Sequence, residues 1–174
     1  MLGNRVPNII VKDAELIFTP NFSGAPDKYN KDGGKRYFKW KIEDPELAQK
    51  LADDGWPVRI WTPEDGDPIA NMKIHVSFRK IPGIRPMEVY MVKDGRAIPL
   101  DQESICDLDY VRPRPKALRM EIRPYVYDKT TGDISAYLQT GYFELPEDAS
   151  GIDPFYDEFE HVSPSVDDEE VPFD

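Results

Sequence analysis

Tyr37, Lys39 and Lys41 occupy alternate positions of "KRYFKWKI", and Lys73, His75 and Arg79 share one phase of "NMKIHVSFRK". Arg119, Arg123, Tyr125 and Tyr127 share a phase of "KALRMEIRPYVY"; Arg59 and Trp61 do so in "WPVRIW", and Ser135, Tyr137 and Gln139 in "ISAYLQTGYFEL". The turn-rich stretch ahead of the first of these adds Phe22, Lys28, Tyr29, Lys35 and Arg36. Cations interleaved with flat rings suit one kind of binding chemistry. The cations attract phosphates, and the rings offer faces on which unpaired bases stack, worth about 1–3 kcal/mol per base whatever the sequence. Duplex DNA does not explain the rings, because its bases are already stacked, and no helix with a basic face is available for a major groove. Tyr37, Trp61 and Tyr125 are the stronger stacking candidates. Phe38 and Trp40 fall on the apolar phase and are expected in a core, and Trp56 is expected to pack between a helix and a strand. The same alternation also fits an ordinary half-buried sheet with a polar outer face and cross-strand tyrosine pairs.

Other chemistries find less support. His75 and His161 are the two histidines and Cys106 the one cysteine, so no disulfide and no cysteine zinc cluster is expected. "DGG" at 32–34 precedes a strand rather than a helix and reads as a turn, not a phosphate loop. Neither "GYFEL" nor "FSGAP" matches a nucleophile elbow. A metal-dependent nuclease built from Asp13, Glu15, Glu43 and Glu121 is the enzymatic alternative, although carboxylates on outer strand faces are usually just solvated. The expectation is a non-enzyme with no cofactor and no metal.

The elements that would carry these side chains follow from period-two patterning. Strands are expected over 8–18, 35–42, 56–61, 71–80, 87–92, 116–127 and 134–145, about seven in all. In the first, Ala14, Leu16 and Phe18 lie on one side. A long loop is expected over 19–34, where Pro, Gly, Asn and Asp concentrate. "DPELAQKLADDG" reads as a short helix: Asp44 as N-cap, Pro45 in the first turn, Leu47 and Leu51 facing inward, Gly55 as the stop. A helical turn is expected within 101–109. Many short strands and one helix predict a mostly β chain, an antiparallel barrel or sandwich.

The charge is distributed unevenly. The net charge is −11, with 33 acids and 22 bases. Eleven of the acids and none of the bases lie after Pro146, so the body carries 22 of each. The chain therefore divides into a folded domain over 1–145 and an acidic, unstructured interaction tail over 146–174. Such a tail has two uses: to cover the basic face when no nucleic acid is present, and to recruit a partner. A second functional class follows from the tail alone, an acidic protein-interaction or DNA-mimic module. No apolar run is long enough for a membrane helix and the N-terminus lacks a signal-peptide layout, so a cytoplasmic setting is expected.

The tip "DDEEVPFD" resembles the acidic C-terminal tip of bacterial and phage single-stranded DNA-binding proteins. Asp167, Asp168, Glu169 and Glu170 match the acidic run, Val171 the apolar position, and Pro172 and Phe173 the terminal pair. Asp174 departs from the pattern by placing the carboxylate one residue further out. The body resembles phage-encoded single-stranded DNA-binding proteins with an OB-fold, through "KDAELIF", "NFSG", "KYN", "GGKRYF", "LADDGWPV", "RPY" and "AYLQTGY". The resemblance implies an OB-type barrel, single-stranded DNA as ligand, a role in phage replication or recombination in the bacterial host, and replication or recombination proteins as partners of the tail. It leaves assembly into a homo-oligomer open.

Overall fold

Alternation of small or branched apolar residues with charged ones produces strands with one buried face. The computed structural model describes residues 6–26, 31, 33–111 and 113–146. Lys28, Tyr29 and the tail residues 167–174 therefore lie outside the described residues. Eight strands are present: β1 (Ile9–Asn21), β2 (Arg36–Ile42), β3 (Val58–Trp61), β4 (Ile69–Val76), β5 (Glu88–Lys93), β6 (Arg96–Leu100), β7 (Leu118–Asp128) and β8 (Asp133–Glu144). One α-helix, α1 (Pro45–Asp53), follows β2, and a 3-10 helix (Ile105–Asp109) precedes β7. The Asp44 carboxylate accepts the Glu46 N–H at 3.0 Å and caps α1, as the sequence suggested. The chain leaves the helix through Gly55 at φ +101, a conformation that suits glycine.

The sheet order is β3-β4-β2-β1-β7-β8-β5-β6, with a further pairing of β4 to β8. That pairing is parallel, through Ile74↔Ala136 and His75↔Tyr137, and it closes β1, β2, β4, β8 and β7 into a barrel. A closed five-stranded barrel of this kind is the OB architecture. β3 and the β5–β6 hairpin extend it. The core holds Phe22, Phe38 and Phe143, whose ring centroids lie 5.3–5.7 Å apart, together with Met72, Ile74, Leu118, Ile122 and Leu138. Phe38, Trp40 and Trp56 are in this core as expected.

Several boundaries differ from the sequence reading. β1 continues to Asn21, so the loop begins at Phe22 rather than Thr19. Between Ile17 and Asn21, β1 spans four residues where β2 spans two, from Lys39 to Tyr37. Phe18 stands at φ +65 in this bulge. Within the bulge Phe18 turns outward, whereas Phe22, expected outside in the loop, keeps the inward phase of Ala14 and Leu16 and is fully buried. A second irregularity lies in β8, where Glu121↔Thr140 is followed by Ile122↔Leu138. Gln139 is the extra residue. It turns inward and donates to the carbonyls of Arg85 and Pro86 at 2.9 and 3.1 Å, so it is not on the outer face. β4 ends at Val76, leaving Phe78 half-buried beyond it. Among the described residues no helix is long and apolar enough to cross a membrane.

Candidate nucleic-acid interface

The register of the barrel strands fixes which polar side chains meet on the outside. Tyr37 pairs with His75, His75 with Tyr137, and Tyr137 with Arg123, forming one row across β2, β4, β8 and β7. One step along the strands, Lys39 pairs with Lys73, and Tyr125 lies opposite Ser135. These side chains are in contact. The His75 and Tyr137 rings lie 5.1 Å apart and tilted by 31°, and Tyr125 meets Tyr137 edge-on at 6.2 Å. The Arg123 guanidinium sits 5.2 Å from the Tyr137 ring centre, and the Lys73 ammonium 4.5 Å from that of Tyr37.

A trough runs over these rows as three adjoining hollows. The largest, about 840 Å³, is lined by Phe18, Pro20, Tyr37, Lys39, Lys73 and Tyr110, among others. The next, about 280 Å³, shares Lys39 and Lys73 with it and adds Arg59, His75, Tyr127 and Ser135. The third, about 430 Å³, shares His75 and adds Lys35, Arg36, Arg79 and Tyr137. Lys39, Arg59, Arg79 and Arg123 have no acidic partner among the described residues, whereas Lys41, Arg85, Arg114, Lys116 and Arg119 each sit in an ion pair. The trough thus has cations left for an anionic ligand.

His75 is held as the neutral imidazole. Burial lowers its pKa from 6.5, and the nearby ammonium groups of Lys73 and Lys35 add to the effect. It therefore presents a ring rather than a charge to the trough.

The trough gathers Lys35, Arg36, Tyr37, Lys39, Lys73, His75, Arg79, Arg123, Tyr125 and Tyr137 on one face, with Trp61 at its edge against Phe18, their rings 5.0 Å apart. Tyr37 is only 8% exposed, while Trp61 and Tyr125 are 43% and 54% exposed, so these two present more ring face to a ligand. Lys41 and Arg119 stand apart. Lys41 pairs with Glu43 at 3.6 Å and faces Glu15 across the strand. Arg119 pairs with Glu144 at 3.3 Å, beside the stacked rings of Tyr90 and Tyr142. Phe18 and Tyr110 belong to the trough and were not among the sequence candidates. Pro20 is the signal that could have exposed Phe18, because proline within a strand marks an edge or a bulge.

Two of the carboxylates considered for a nuclease are engaged in other roles. Glu121 accepts from Asn8 at 2.8 Å and pairs with Arg85, and Glu43 pairs with Lys41 and Lys116. Among the described residues no three acidic, histidine or cysteine side chains converge on a point that could hold a metal ion.

No curated protein matches the chain. Among solved structures it is similar to gp2.5, a single-stranded DNA binding protein encoded by bacteriophage T7, at 13% identity and a TM-score of 0.36. That match covers 90% of this chain and 98% of the T7 chain. The family model described as "Putative phage ssDNA-binding domain" matches residues 2–169. The barrel and its outer trough are thus those of a chain that belongs to the phage single-stranded DNA-binding domain family.

Proposed function

We propose that the chain is a non-catalytic single-stranded DNA-binding protein of phage replication or recombination, and that the strand lies in the trough across β2, β4, β8 and β7. One observation carries the placement: Lys39, Arg59, Arg79 and Arg123, without acidic partners among the described residues, line or flank the same face as Trp61, Tyr125 and Tyr137. The cations meet phosphates and the rings meet bases, so binding is largely indifferent to sequence. The folded domain is residues 1–145. The segment 146–174 is an acidic arm that competes for the trough and, through Val171, Pro172 and Phe173, recruits replication or recombination proteins in the host cytoplasm.

A fluorescence-anisotropy titration of the full chain against labelled single and double strands tests this. The single strand is expected to bind far more tightly, with log K falling by about 0.7 per phosphate contact for each tenfold rise in salt. Tyr125→Ala is expected to weaken it by about 1–3 kcal/mol, near fivefold to 150-fold, without changing the salt slope. Equal affinity for the duplex, or an unaltered Tyr125→Ala protein, would remove the placement. Failure of the chain to bind any oligonucleotide would favour the acidic interaction module instead.

A further inference from the structure

The largest hollow has a feature that a simple stacking surface does not require: its lysines cover its rings. The Lys73 ammonium lies 4.5 Å from the centre of the Tyr37 ring, and the Lys39 ammonium 5.3 Å from that of Phe18. All four residues line the same hollow. Phe18 reaches it only because the bulge holds its backbone at φ +65, a conformation that bulky side chains rarely adopt. Strain of this kind persists where the surroundings enforce it, and it clusters at ligand sites. The enforcing contacts are present. Both oxygens of Asp109 accept backbone N–H groups, from Phe22 at 2.7 Å and Ser23 at 2.9 Å, just past the bulge. The neighbouring Tyr110, 83% exposed, also lines the hollow.

We infer that this hollow is a nucleobase site in which Lys39 and Lys73 act as placeholders. A base displaces each ammonium from its ring, and the ammonium moves to the flanking phosphate. A base on a ring is a stronger contact than an exposed cation on the same ring, and Lys39, without an acidic partner among the described residues, gains an anionic one. The carboxylate of Asp109 is engaged by the two amides, so it anchors the wall. This inference rests on the reading of the trough as the DNA path.

The test uses the full chain with isotopically labelled lysine, titrated with an oligothymidylate whose binding is followed by anisotropy in the same samples. Ring currents place the ε-methylene signals of Lys39 and Lys73 upfield of ordinary lysine in the DNA-free protein. They are expected to move downfield in step with saturation. Phe18→Gly, which accepts φ +65 without strain, is expected to stay folded and to lose at least about fivefold in affinity. If the oligonucleotide binds while the lysine signals remain upfield, or if Phe18→Gly binds like the parent, the placeholder site is overturned and the trough reading survives. Absence of binding overturns both.

Discussion

At the scale of single residues, the proposed interface depends on how each ring and cation is held before DNA arrives. His75 is the clearest case. Desolvation, then Lys73 and Lys35, lower its pKa, and Tyr137 packs against its ring at 5.1 Å. In the unfolded chain the same imidazole titrates near 6.5. As pH falls below that value, the unfolded chain takes up the proton first, so stability present above pH 6.5 is lost as pH drops through the lower folded value. The urea midpoint of the full chain is accordingly expected to fall in the window just below pH 6.5, before the carboxylates titrate. His75→Gln is expected to flatten that fall, and a fall of the same size in the variant would contradict the assignment. The cations follow a related logic. Lys41 and Arg119 have the right type and alternation for phosphate contact, but Glu43 and Glu144 already neutralise them.

At the scale of elements, what the sequence made legible was periodicity, and what it hid was interruption. The inward phases of "KRYFKWKI" and "NMKIHVSFRK" became the buried faces of β2 and β4, and Asp44, Pro45 and Gly55 marked the limits of α1. With two neighbouring strands in register, the row from Tyr37 to His75 follows from alternation alone. Phe18, Phe22 and Gln139 did not follow from it. The one-residue bulge of β8 inverts the facing of everything beyond it, the two-residue bulge of β1 turns Phe18 outward within it while keeping the phase beyond, and only Pro20 hinted at the latter. β6 was missed because Arg96 to Pro99 are all exposed and so do not alternate. Tyr110 sits in irregular chain after the 3-10 helix, where no periodicity exists to assign its face. Closure of the barrel was equally hidden, since the parallel β4–β8 pairing joins segments far apart in sequence. That closure is buttressed at one point by Gly55, whose carbonyl accepts the Ile134 N–H at 3.0 Å at the start of β8. A Cβ at Gly55 would run into the Gly132 carbonyl, and φ +101 disfavours any side chain. Gly55→Ala is therefore expected to destabilise the chain by more than about 1 kcal/mol. Gly132→Ala has open space around its Cβ at φ +80 and carries the strain alone, so it is expected to cost less. Urea denaturation of the two variants gives the comparison, and equal losses would remove the close-approach argument.

At the scale of the whole molecule, charge is partitioned between a balanced body and an arm holding eleven acids without a base. A neutral body can still present a local cationic trough, because Glu43, Glu121 and Glu144 compensate bases elsewhere on the surface. In the proposed reading the acidic arm competes with DNA as an intramolecular ligand. An intramolecular competitor acts at an effective concentration on the order of millimolar, so in that reading even weak attraction between carboxylates and the trough lowers apparent affinity. Removing residues 164–174 deletes Asp167, Asp168, Glu169, Glu170 and Asp174. The shortened chain is expected to bind an oligothymidylate several-fold more tightly at low salt. The difference should shrink toward nothing near 1 M salt, where the screening length falls to about 3 Å. Replacing the four-acid run with asparagine and glutamine at unchanged length separates charge from bulk. If that variant binds like the intact chain while the truncation binds tightly, the arm acts by occupying space; if both bind tightly, it acts through its charge, as the distribution of acids implies.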